Sequence, residues 1–283
     1  MKSAKLNGIE LAYEVQGEGE PLLLIGPGPI ADSLLPLMKT AALSTRYRLI
    51  RYHQRGQGRS TPGAGPVTFQ QHANDAAALL RHLGITRAHV AGHSTGGDIA
   101  LQLALDFPDC VHTLILLEPP LVKVPSGPRF LERAAPAIEA YVAGDRARAV
   151  ATFLSMACSL EWMECQAVIE QHVPGGVEQA VQDADTFFGS YLPSLAAWQF
   201  DATDATRITQ PVLSVLGTQT DTMFREGRAQ LHAWFPQTED CTIEGAAHLL
   251  HLQQPERVAR GIAEFIAAHS MGEVGAGHAP ATV

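Results

Sequence analysis

Short apolar runs alternate with amphipathic stretches along most of this chain. Leu22-Leu23-Leu24-Ile25 is apolar throughout and stops at Gly26-Pro27-Gly28-Pro29, as expected of a strand covered on both faces of a sheet. The same reading predicts strands over 47–52, 88–92, 114–117, 211–217 and 239–243. Helices are expected between them. Over 69–83, Ala76, Leu79, Leu80 and Leu83 form one stripe and Gly84 supplies the stop. Further helices are predicted over 96–107, halted before Pro108, over 225–234 and over 254–269. From about residue 9 this alternation implies an α/β fold with a mostly parallel sheet flanked by helices. The rhythm changes over 121–205, where Ala-rich helical stretches such as 130–142 and 146–158 run without a clear strand. The expected organisation is a core of 1–120 and 206–270, an inserted helical cap of 121–205, for which a second domain or a run of ordinary helices would give a similar pattern, and a disordered tail of 271–283 that lacks apolar periodicity.

Composition narrows the function classes. With 283 residues and 46% hydrophobic side chains, the chain can bury the core of one large domain. A net charge of −9 speaks against a nucleic-acid partner, which needs a clustered positive field. No apolar run approaches the roughly 18 residues of a membrane span, and the first eight residues lack the core of a secretory signal, so a cytoplasmic location is expected. Cys110, Cys158, Cys165 and Cys241 form no C-x-x-C pair and read as buried or half-buried thiols. His248 and His251 stand three apart without an accompanying ligand set, so neither metal nor other cofactor is expected.

The chemistry concentrates at Gly92-His93-Ser94-Thr95-Gly96, a G-x-S-x-G pattern between a predicted strand and a predicted helix. A serine on that sharp turn presents its oxygen at the carboxyl end of the sheet, and the helix that begins there aims free N–H groups at a developing anion. A serine hydroxyl needs a neighbouring base. Gly245-Ala246-Ala247-His248 follows the last predicted strand, which places His248 on a loop at the same sheet edge. One oxyanion donor should be the Thr95 amide. The other should come from the loop after Ile25, where Pro27 and Pro29 have no N–H to give and Gly26 and Gly28 remain.

The segments 22–28, 55–60, 92–96, 211–217 and 245–248 together resemble the α/β-hydrolase fold superfamily, over nearly the whole chain. The resemblance implies a Ser–acid–His triad, two backbone oxyanion donors with Gly28 the better match for the second, and a helical cap after the sixth strand. A serine, not an aspartate, as nucleophile argues against the dehalogenase and epoxide-hydrolase branches. Two carboxylates compete for the acid. The usual slot after the seventh strand reads Gly217-Thr218-Gln219-Thr220, with Asp221 one residue late, whereas Glu118 stands directly after the sixth strand. Leu116-Leu117-Glu118-Pro119-Pro120 resembles the branch that includes zearalenone-type lactonases. The expected activity is hydrolysis of a small-molecule carboxylic ester or lactone with an apolar body. Carbon–carbon bond hydrolysis, perhydrolysis or a ligand receptor on the same scaffold stay open, as does a homodimer.

Arg55, Gly56, Gly58 and Ser60 read as scaffold, and His53 stands where similar proteins commonly carry Asp. Trp162, Met163, Phe187, Phe188, Tyr191 and Trp198 are candidates for either an apolar pocket or plain core.

Overall fold

The computed structural model describes residues 1–63 and 67–272. Eight strands form one sheet in the order β1-β2-β4-β3-β5-β6-β7-β8. They are β1 (Lys2–Leu6), β2 (Ile9–Gln16), β3 (Glu20–Ile25), β4 (Tyr47–Tyr52), β5 (Ala88–His93), β6 (Val111–Leu117), β7 (Val212–Gly217) and β8 (Glu239–Ile243). β1 with β2 and β2 with β4 pair antiparallel, and the rest of the sheet is parallel. β1 and β2 lie outside the apolar-run pattern. They form a hairpin turned at Asn7-Gly8, both with positive φ, the dipeptide that a tight primed turn favours.

Side-chain alternation along β3 divides the core. Leu23 and Ile25 enter the cluster beneath the helices Phe69–His82 and Thr95–Asp106, while Leu22 and Leu24 enter the opposite one, packed by Pro255–Ala268. The helix Phe69–His82 starts at a capping box between Thr68 and Gln71 and gives way to Gly84 in the left-handed region.

Between β6 and β7 the chain is helical and contributes no strand to the sheet. The helix expected over 130–142 is two, Gly127–Arg133 and Ala135–Val142, joined at Ala134. Pro136 explains the break: it has no N–H for an uninterrupted helix and suits a first turn. Phe187–Tyr191 takes a π-helical turn. The tail expected over 271–283 lies, beyond Gly272, outside the described residues. Among the described residues no helix is long and apolar enough to cross a membrane.

Candidate active site

Ser94 joins β5 to the helix Thr95–Asp106 with φ 52° and ψ −131°, a conformation that side chains other than glycine seldom hold. Its surroundings impose it. The Ser94 N–H donates to Leu117 O at 2.9 Å, and its carbonyl accepts from the Gly97 N–H at 2.7 Å. The two motif glycines exist for close approach. A Cβ on Gly92 would overlap the carbonyl of Gly96, and one on Gly96 would overlap the carbonyls of Ile25 and Gly26 at the end of β3. The turn thus points a half-buried serine into a cavity at the sheet's carboxyl edge.

His248 follows β8 and lines the same cavity. Its Nδ1 lies 2.7 Å from Glu118 Oε2, and both side chains are buried. Glu118 leaves β6 with φ 48°. Its Oε1 accepts from the Gly217 N–H at 2.8 Å and its Oε2 from the Thr220 hydroxyl at 2.8 Å. An acceptor-only carboxylate surrounded by donors fixes the proton on Nδ1 and leaves Nε2 free to accept. Phe224 stacks on the imidazole at 4.1 Å between centroids and 13° between planes, while His93 Nε2 donates to the His248 carbonyl at 2.9 Å. The ring is therefore held at its edge, its face and its backbone. No hydrogen bond joins Ser94 to His248 among the described residues; in ligand-free enzymes such contacts are often long and tighten with substrate.

The competing acid is engaged elsewhere. Asp221 caps the helix Thr222–Trp234 by accepting from the Met223 N–H at 2.9 Å, and pairs with Arg133 at 2.6 Å.

On the other side of the serine, the Gly28 N–H donates to the Thr95 hydroxyl at 3.1 Å. The loop is tied from behind: Gln54 Nε2 donates to Gly26 O at 2.6 Å, and the Tyr191 hydroxyl donates to Gln54 Oε1. Glycine is required at 28 because a Cβ there would press on the Phe187 ring at 2.8 Å. Sequence reasoning missed Gln54, Thr220, Phe224 and the backbone-bracing role of His93. His93 and Thr220 stand within segments that the sequence singled out for other residues, Gln54 and Phe224 do not, and each acts across more than 20 residues of sequence.

The cavity and its open mouth together enclose about 730 Å³ of space not filled by protein atoms. Its wall is mostly apolar, with Phe130, Phe153, Phe187, Leu154, Leu195 and Tyr191 prominent, and among the described residues no Lys, Arg, Asp or Glu lines it. Of the six apolar candidates from the sequence, Phe187 and Tyr191 line the cavity; Phe188 and Trp198 are buried elsewhere, Trp162 is half-buried away from it, and Met163 is 84% exposed. The other histidines on the wall are neutral: burial, then the neighbouring His248 and His172, pushes His251 down to about 3, and burial pushes His93 well below the ordinary range. Among the described residues no group of three or more His, Cys, Asp or Glu is placed to hold a metal ion.

The loop after β4 is scaffold. Arg55 grips the buried Asp75 through two bonds of 2.7 and 2.8 Å. His53 Nδ1 accepts from the Arg59 N–H at 2.9 Å while Nε2 meets Asp32 at 2.8 Å. Burial alone would raise the Asp32 carboxyl, but His53 and Arg51 hold it below the usual carboxylate range. The histidine at 53 thus ties this loop to the one after β3.

A strained serine and a buried imidazole–carboxylate pair stand together at the carboxyl edge of a mostly parallel sheet. The chain belongs to the alpha/beta hydrolase fold family, whose model matches residues 27–255. It is 39% identical over 109 residues, 38% of this chain, to a protein of Azorhizobium caulinodans named carbamate hydrolase RutD. The matched stretch spans less than half of several such relatives, 40% in that case. Against the RutD of Agrobacterium fabrum the identity is 27% over 90% of this chain and 97% of the relative. A thermophilic esterase of Thermogutta terrifontis superposes with a TM-score of 0.77 at 25% identity, covering 95% of this chain and 100% of that one.

Proposed function

We propose that this enzyme is a serine hydrolase that cleaves an uncharged carboxylic ester or lactone with an apolar body through an acyl-enzyme. Ser94 Oγ attacks the carbonyl carbon while His248 Nε2 takes its proton. Glu118 stays ionised, holds the imidazole in the competent tautomer and stabilises the imidazolium. The Gly28 and Thr95 amides receive the oxyanion, with the Thr95 hydroxyl giving up its contact with the Gly28 N–H. The proton passes from Nε2 to the leaving alkoxide. Water, deprotonated by His248, then attacks the acyl carbon and releases the acid and Ser94.

The observation that carries this reading is the 2.7 Å contact between His248 Nδ1 and Glu118, on the wall of the cavity that Ser94 enters. The relatives' name supports a second reading, carbamate hydrolysis by the same residues. A mostly apolar wall without charges favours the first. Steady-state turnover on aryl esters of increasing acyl length, on macrolactones and on the matching carbamates decides between them. Preference for medium or long apolar acyl groups supports the proposal. Faster turnover of carbamates replaces it with the second reading, and a single covalent event followed by arrest points to a receptor.

A further inference from the structure

Three polar side chains on the cavity wall carry atoms that have no task in that chemistry. Ser33, ahead of the helix Leu35–Lys39, is 1% exposed, and His251, in Leu250–Gln253, is 0% exposed. Among the described residues neither the Ser33 hydroxyl nor either ring nitrogen of His251 has a hydrogen-bond partner. His93 spends Nε2 on the His248 carbonyl and leaves Nδ1 without a partner. The His93 and His251 rings lie 4.0 Å apart between centroids, and the helices Leu35–Lys39 and Leu250–Gln253 pack together. All three residues line the cavity that Ser94 enters. Native interiors seldom leave such atoms unpaired without a use.

The donors and acceptors on offer restrict what binds there. His93 donates through Nε2, so its Nδ1 can only accept. His251 is neutral and offers one donor and one acceptor, and Ser33 offers both. A carbonyl or ether on the substrate accepts only and leaves His93 Nδ1 unpaired. An anion meets no Lys or Arg on the wall, and an ammonium meets no carboxylate. A hydroxyl both donates and accepts. We infer that Ser33, His93 and His251 form a subsite for a hydroxyl carried on the apolar body of the substrate, which makes the substrate class a neutral hydroxylated ester or lactone. The inference rests on the ester and lactone reading above and goes on to specify the substrate.

The test uses aryl esters and lactones with one hydroxyl walked along the apolar chain or ring, each compared with its deoxy parent on the full-length protein. At one position the hydroxyl raises kcat/KM at least about tenfold. That hydroxy-to-deoxy ratio falls towards one in Ser33→Ala or in His251→Phe. A ratio of rates on one preparation is insensitive to how much of a variant folds. A wild-type ratio near one at every position means that water, not substrate, satisfies these atoms, and overturns the inference. So does a ratio that persists in both variants. Rapid turnover of the deoxy parents without preference removes the hydroxyl subsite alone, whereas no turnover of any ester or lactone removes the hydrolase reading beneath it as well.

Discussion

Replacing Glu118 by glutamine keeps the size of the side chain and changes only what its end can accept. The carboxylate takes the Gly217 N–H, the Thr220 hydroxyl and the His248 Nδ1–H at 2.7 to 2.8 Å. An amide has one acceptor oxygen. If that oxygen stays on Gly217, the amide NH2 faces His248, and the ring must present Nδ1 as acceptor and carry its proton on Nε2. That tautomer cannot take a proton from Ser94. If the amide turns round, its NH2 faces the Gly217 N–H, donor against donor in a buried site. The expected loss in kcat is about 10³- to 10⁴-fold, equal to roughly 4 to 5.5 kcal/mol in the barrier. Asp221→Asn is the matched control. It weakens a partly exposed pair with Arg133 worth at most about 1 kcal/mol and leaves an asparagine able to cap the helix. Its kcat should stay within about threefold of wild type. Both variants are assayed on one aryl ester, with thermal melts to confirm folding. Equal losses in the two, or an E118Q enzyme retaining more than about a tenth of its rate, would refute the assignment of the acid.

Two further outcomes test the frame around the site. Gly96→Ala drives a Cβ into the carbonyls of Ile25 and Gly26, so denaturant melts should show a loss of about 3 kcal/mol or more, or no soluble protein; wild-type stability would mean that the elbow is looser than its backbone indicates. His72 is fully buried without a partner, and burial, then the Arg55 charge, pushes its pKa down to about 3 from 6.5. The unfolded chain therefore binds a proton at this position that the folded one refuses. Its share of stability is complete above pH 6.5 and is lost as the pH falls towards 3. In His72→Leu the fall in unfolding free energy per pH unit, measured between those limits by urea titration, should be shallower by about 1.4 kcal/mol. An unchanged slope would show that His72 titrates alike in both states.

The parts of the fold with strong local signals could be read from the chain. β3 and β6 hold continuous apolar runs, Leu22–Ile25 and Leu114–Leu117, because both faces are covered, β5 and β7 are short, mostly apolar segments with a polar residue inside them, and the turn at Ser94 carries its glycines in sequence for a reason visible in space. β1 escaped the same reading because it is a half-exposed edge strand, and the clue lay in the turn dipeptide Asn7-Gly8. Helical periodicity carried the reading of 130–142 across Ala134, where the following proline decided otherwise. Within the site, two carboxylates had comparable claims by position. What separates them is the donor cluster at the end of β7, which lies on the far side of a long helical insertion in the sequence. The tie from Tyr191 through Gln54 to Gly26 joins three distant segments and has no local signature at all.

Every step of the proposed hydrolysis requires Ser94 to be the activated nucleophile. Incubation with an aryl organophosphonate, followed by peptide mass mapping, tests this directly. Stoichiometric phosphonylation at Ser94 is expected, abolished in Ser94→Ala and strongly slowed in His248→Gln. Label on another residue, or none from a protein shown to be folded, would contradict it.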